Sequence, residues 1–304
     1  MKVVLLSGGG GGARFARGLQ HTLEPGELTV VGNVGDDLEI LGLHVSPDLD
    51  SLLYTLAGLI DEERGWGRAD ETWNALESVA AWGGENWFSL GDRDMGLHLV
   101  RTRMLREGVP LSEVTASFSD LAGLATRILP ATDDRLRTHV VTAAGTFSFQ
   151  EWYVGRAHRD EVEAVEYENA HRARPAPGVV EALDAADVIL LAPSNPYLSV
   201  GPILAVREIR EAIERRSVRC VAVSPLVGGA AVTGPAGRML SRMAGGTTPH
   251  HVADRYSGLI DALVIDELDA PAESPVELAV TQTLMRDRES ARKLAETVLE
   301  AACV

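Results

Sequence analysis

Residues 2–33, KVVLLSGGGGGARFARGLQHTLEPGELTVVGN, decide the fold. KVVLL is a short apolar, β-branched run, the glycines Gly8 to Gly12 follow it, ARFARGLQHTL has helical character, and LTVVGN is a second strand. A strand, a glycine loop, a helix and a second strand open a parallel sheet, whose ligands sit at the carboxyl ends of the strands. DVILLAPS at 187–194, RCVAVSP at 219–225 and DALVID at 261–266 are strands of the same kind, and GPILAVREIREAIERR reads as a helical crossover between the first two. The fold class is therefore α/β, a Rossmann-like, mainly parallel sheet. The middle differs: 70–128 holds helical stretches such as DETWNALESVAAWG and DMGLHLVRTRMLREG, whereas 138–168, beginning THVVTAAGTFSFQEWYVG, reads as antiparallel strand material. No Ser/Gly/Pro-rich linker divides the chain, so we expect one α/β domain over 1–304 with a helical and antiparallel insertion at about 62–170.

The net charge of −16 argues against broad contact with nucleic acid, whose phosphates demand clustered Lys and Arg. Lysine occurs only at Lys2 and Lys293, so a bound anion must be met by Arg, backbone N–H groups or a cation. No apolar run approaches the roughly 18 residues that cross a bilayer, and MKVVLLSGGGGG is too short in apolar residues for a signal-peptide core, so a cytoplasmic protein without membrane contact is expected. Cys220 and Cys303 make no metal-ligand spacing.

SGGGGGAR satisfies G-x-G-x-x-A at Gly8, Gly10 and Ala13, a pattern that brings backbone close to a pyrophosphate. The dinucleotide fingerprint also wants an acid closing the second strand; Gly32 and Asn33 stand there, which disfavours a nicotinamide cofactor. No Gly-Lys-Ser/Thr exists, which excludes a P-loop. Three acidic clusters follow: NVGDD with Asp36 and Asp37, SPDLD with Asp48 and Asp50, LGDRD with Asp92 and Asp94. Each suits either a helix cap or turn, or Mg²⁺, which takes one or two carboxylates plus substrate phosphate oxygens. PSNP at 193–196 and SPLVGGAAVTGPAGR at 224–238 follow buried strands, as ordinary turns or as phosphate or purine contacts. His98, at helical spacing from Arg101, suits a satisfied structural histidine better than a general base. Trp66, Trp73, Trp82 and Trp87 suit a flat-ring pocket or a helical core equally.

In order, GGGGGARF, NVGDD, SPDLDSLLYTL, RGWG with DETW, WFSLGDRD, HLVRTRML, LPATDDR with THVV, FQEW, LAPSNP with SVGPILAV, and SPLVGG with GPA resemble the family of 2-phospho-L-lactate transferases. DETW, LPATDDR and FQEW are most similar to its actinobacterial members, described as phosphoenolpyruvyl transferases. The resemblance implies a step in making coenzyme F420. A phosphoenolpyruvyl or 2-phospho-L-lactyl group passes from a guanosine diphosphate ester (EPPG or LPPG) to the ribityl hydroxyl of the deazaflavin Fo (7,8-didemethyl-8-hydroxy-5-deazariboflavin), releasing GMP. It also implies Mg²⁺ and a homodimer.

On that resemblance Asp48 and Asp50 are the candidate metal ligands and catalytic carboxylates, one of them a general base. Asp50, Ser89, Asp92 and Asp94 are assigned to the substrates, Ser89 standing where archaeal members carry a lysine before LGD. Gly8, Gly9, Gly10, Gly12, Ser194, Asn195, Gly228 and Gly229 are assigned to the guanine nucleotide, and Asn33 to substrate binding. The rival is a non-enzymatic nucleotide-sugar-binding regulator of the same superfamily. Such regulators carry a Gly-Ser-Ser-Gly-Arg stretch where this chain has LEILGLHVSPDLD.

Overall fold

A computed structural model describes residues 1–303. Seven strands form one parallel sheet, in the order Glu277–Thr281, Ala262–Asp266, Cys220–Val223, Val188–Leu191, Val3–Ser7, Leu28–Gly32, Arg127–Pro130. Every residue of the strands Val3–Ser7, Val188–Leu191, Cys220–Val223 and Ala262–Asp266 is buried, as expected where helices cover both faces. From Val3–Ser7 the chain first builds one side of the sheet and then returns to build the other. The two sets of right-handed crossovers therefore run in opposite directions and place their helices on opposite faces. The α/β Rossmann-like reading holds.

Three local expectations differ. The stretch 62–170 is not continuous: Arg127–Pro130 is an edge strand of the central sheet, between a helical excursion (Asn74–Ala81, Asp92–Arg106, Leu111–Leu121) and an antiparallel one (Arg137–Thr142, Gly145–Ser148, Val162–Glu168). The crossover at 201–216 is two helices, Val200–Ala205 and Arg207–Glu214. Val206 swings to φ −73°, ψ 107°, and its carbonyl starts the second helix. FQEWYVG does not continue the antiparallel sheet. Glu151–Gly155 forms a π-helical turn that buries Trp152, whose indole N–H donates to the Asp160 carbonyl at 3.2 Å. Such turns recur at functional sites, and this one swings Gln150 and Tyr153 towards the sheet's carboxyl edge.

The helix Gly9–Thr22 packs on the C-terminal helix Arg288–Ala302 and on Pro47–Leu56. At the first of these contacts a Cβ on Gly18 would overlap the Ala291 carbonyl, so the closeness of the two backbones requires glycine. In an open helix Gly→Ala stabilises by up to about 1 kcal/mol; here the clash should reverse the sign. We expect Gly18→Ala to cost about 1–3 kcal/mol, read as a lower urea midpoint. A raised midpoint would show that the helices separate freely.

Candidate active site

The order of strands reverses about Val3–Ser7 and Val188–Leu191, and an open parallel sheet binds ligands at the carboxyl side of that reversal. A cleft of about 690 Å³ opens there, within the usual range for small-molecule sites. Gly8 with the first turn of the helix Gly9–Thr22, and the PSNP loop, follow these two strands and line it together with the start of the helix Pro47–Leu56. Trp66, Phe88 and Tyr153 supply flat walls, and Val232 to Ala236 close the far side.

Pro47 starts its helix at a position where its missing N–H costs nothing, and places Asp48 in the first turn. Asp48 does not cap its own helix. Its Oδ1 accepts from Gly9 N at 2.7 Å, at the start of the neighbouring helix, where a carboxylate complements the dipole. Its Oδ2 accepts from Asn33 Nδ2 at 2.9 Å. The same amide reaches Asp36 Oδ1 at 2.9 Å and the Leu198 carbonyl at 3.3 Å, so two hydrogens face three acceptors. Gln150 Nε2 adds a longer contact to Asp36 Oδ2 at 3.3 Å. Both acids are buried and the side chains that reach them are amides, not cations. Burial first, and then the charge of Asp48, holds Asp36 well above the ordinary carboxylate range. Burial pushes Asp48 up to about 6, against the downward pull of Asn33 and Gly9.

Asp50 is handled in the opposite way. Arg101, buried on the helix Asp92–Arg106, grips both of its oxygens: Nη1 donates to Oδ2 at 3.0 Å and Nη2 to Oδ1. A cation beside Asp50 would face that guanidinium, so the structure does not favour the expected pairing of Asp48 with Asp50 around a metal. Arg101 Nη1 also lies 3.2 Å from His98 Nδ1. A guanidinium only donates, so His98 accepts at Nδ1 and carries its proton on Nε2. Burial holds the imidazole neutral, pushing it down to about 4.

The structure brings Gly8, Gly9, Gly10, Asp48, Asp50, Ser89, Asp94, Ser194 and Asn195 to the cleft wall. Asn33 lies beneath it as the shared donor. Gly12 sits behind the loop, where a Cβ would overlap the Ser7 hydroxyl and stand 2.7 Å from that of Ser194. Asp92 is outside: it accepts from Thr72 Oγ1 at 2.6 Å, Asn74 Nδ2 at 2.9 Å and Ala75 N at 2.9 Å, and so caps the helix Asn74–Ala81. These bonds push it down to about 2. Gly228 and Gly229, at φ 60° and 73°, form the tight turn between Leu226–Val227 and Ala230–Ala231, and the cleft is lined by their neighbours Val227 and Val232 instead. Of the tryptophans, Trp66 lines the cleft, Arg64 lying 5.3 Å from its ring and 4.8 Å from that of Trp73, while Trp82 is 90% exposed.

Gln150 and Tyr54 are cleft residues to which the sequence reading assigned no role, and Asp36 is one that it named only as part of an acidic cluster. NVGDD did not show that, of two buried acids, Asp36 would line the cleft while Asp37 accepts from Ser46 Oγ at 2.9 Å. Tyr54 was findable as the residue one helical turn beyond Asp50. Gln150 carried no signal, because only the unexpected π-helical turn aims it.

The family model described as 2-phospho-L-lactate transferase CofD matches residues 3–304. The chain is 45% identical to a phosphoenolpyruvate transferase of Streptomyces coelicolor over 313 residues, covering 99% of this chain and 98% of that one. It is 43% identical to the phosphoenolpyruvate transferase of Thermobifida fusca, with the same coverage. A crystal structure of a UPF0052 family protein from Bacillus halodurans covers 98% of this chain and 99% of its own, with a TM-score of 0.64 and 18% identity, which is a likeness of fold. The curated relatives do not favour the regulatory alternative. No helix among the described residues is long and apolar enough to cross a membrane. By its match from residue 3 to the C-terminus and its kinship with these transferases, the chain belongs to the 2-phospho-L-lactate transferase CofD family.

Proposed function

We propose that the protein transfers the phosphoenolpyruvyl or 2-phospho-L-lactyl group of EPPG or LPPG to the terminal ribityl hydroxyl of Fo in coenzyme F420 biosynthesis, releasing GMP. The observation that carries the reading is the Asp36–Asp48 pair, buried beside the glycine loop and sharing one amide. The names of the relatives favour the enolpyruvyl donor. The reading includes a homodimer working in the cytoplasm.

In the transfer, the ribityl oxygen forms a bond to the distal phosphorus of the donor, the bond from that phosphorus to the GMP oxygen breaks, and the hydroxyl proton departs. Asp36 and Asp48 suit Mg²⁺ better than Asp48 and Asp50, because neither is paired with an arginine and burial leaves both short of positive charge. When bound there, the ion would neutralise the diphosphate and the leaving GMP. The chain's own contribution is placement and proton transfer. The N–H groups of Gly10 and Gly11 open the helix Gly9–Thr22 on the cleft, and Arg14, also lining it, adds positive charge for phosphate oxygens. The acidic pair, with Asp48 poised near neutrality, is suited to accept the hydroxyl proton.

Purified protein, Fo, Mg²⁺ and either donor should give a shifted deazaflavin peak with equimolar GMP, faster with the enolpyruvyl donor. Asp48→Asn should lower kcat/KM about 100-fold or more; a loss below tenfold would count against the assignment. The metal-free protein should also lose stability as pH rises from about 4 to about 6. In that window the raised Asp36 and Asp48 retain protons when folded that the unfolded chain has lost. Asp48→Asn should flatten this slope and, at pH 8 with chelator, exceed wild type by about 1–3 kcal/mol. Thermal melts across pH check it, and a wild type that gains stability through that window would contradict it.

A further inference from the structure

The chain leaves Asp36 and reaches Asp48 through one hairpin, whose strands Leu38–Ile40 and Leu43–Val45 pair antiparallel. It turns at Leu41 and Gly42, both at positive φ (52° and 72°), as a tight two-residue turn requires. Leu38 and Val45 are the last backbone pair at its open end. One step further out stand Asp37, which follows Asp36, and Ser46, two positions before Asp48. Their side chains meet, Ser46 Oγ donating to Asp37 Oδ2 at 2.9 Å. His44, two positions back and so on the same side of the strand, puts Nε2 3.1 Å from that oxygen and 3.2 Å from Ser46 Oγ.

Two features of this cluster are costly. Ser46 is the N-cap of the helix Pro47–Leu56, where a serine hydroxyl usually accepts from the first turn, yet it makes no such bond and is spent on Asp37. Asp37 is buried with its Oδ1 unpartnered among the described residues, and after burial its charge is a further cause that holds Asp36 and Asp48 above the ordinary carboxylate range. An aspartate, a histidine and a serine in contact are also the makings of a nucleophile. Here, however, one ring nitrogen faces both partners, whereas a catalytic histidine uses a different nitrogen for each. Ser46 is also fully buried, away from the cleft wall. What the three side chains do is close the hairpin. The rest of the hairpin is fixed on the helix Asp92–Arg106, for His44 N donates to Thr102 Oγ1 at 2.8 Å and Arg106 Nη2 to the Gly42 carbonyl at 3.0 Å. With the tip anchored, the base decides how far apart the two acids stand.

We propose that Asp37, His44 and Ser46 are positioning residues, a clamp across the base of the hairpin that sets the separation of Asp36 and Asp48. The proposal rests on the reading of that pair as the ion-holding acids and adds what keeps them together against their repulsion. Asn33 bridges the two carboxylates directly through one amide, and the clamp fixes the backbone from which each is presented.

The test is Mn²⁺ binding by the full-length protein, read by electron paramagnetic resonance with GMP present, at a temperature where melts show each variant folded. Ser46→Ala should bind Mn²⁺ more weakly than wild type by about fivefold or more, as loss of a group that orients metal-holding side chains does. His44→Ala should weaken it several-fold, and His44→Gln, whose amide N–H takes the place of Nε2–H, should restore binding to within about twofold of wild type. His44 is partly exposed, so this pair of variants decides the matter if Ser46→Ala fails to fold. Gly18→Ala, destabilised far from the hairpin, should bind as wild type does, which separates positioning from loss of stability. Wild-type affinity in Ser46→Ala, or in His44→Ala where Ser46→Ala does not fold, would overturn the clamp while Asp36→Asn and Asp48→Asn still lost the ion. A wild type that takes up no Mn²⁺ would remove the ion-holding pair and the clamp with it.

Discussion

Two carboxylates, Asp36 and Asp48, are held out of water against one side-chain amide, and much of the cleft is arranged around that costly placement. Asn33 extends the second strand and carries the shared donor, so the sheet edge fixes where both acids sit. Gly8 must lack a side chain because a Cβ there would stand 2.5 Å from Asp48 Oδ2 and 3.1 Å from Asn33 Cβ. Gly9 N supplies the remaining bond to Asp48, tying the start of one helix to the start of another. Ser194 locks the loop from the other side of the reversal by donating to the Gly8 carbonyl at 2.6 Å.

The chain spends its buried positive charge elsewhere. Arg101 is given to Asp50, two residues from Asp48, and that choice divides the cleft into two chemical ends. One end holds uncompensated negative charge beside open backbone N–H groups and suits a cation with phosphates. The other holds a neutralised ion pair that sets a histidine tautomer.

The parallel strands could be read from the sequence because each is a short apolar run ending in a turn, which is what a strand buried on both faces requires. Arg127–Pro130 escaped because its four residues directly follow a helical stretch and pair with Leu28–Gly32, a partner about 100 residues away. In SPDLD the acids were legible as functional, but aiming both at one centre assumed a loop. On a helix, side chains two residues apart diverge by about 200°, so Asp48 and Asp50 turn to different partners. That Asp50 meets Arg101 across 51 positions, and that Asp92 caps a helix while Asp94 enters the cleft, are tertiary facts with no local signature.

The most direct test of the central claim is Mn²⁺ binding by electron paramagnetic resonance, with GMP present, to wild type and to Asp36→Asn, Asp48→Asn and Asp50→Asn. The account expects wild type to take up the ion, both Asp36→Asn and Asp48→Asn to lose it by tenfold or more in affinity, and Asp50→Asn to retain it within about threefold. Retention by Asp36→Asn together with loss by Asp50→Asn would contradict it and return the metal to the Asp48–Asp50 pair.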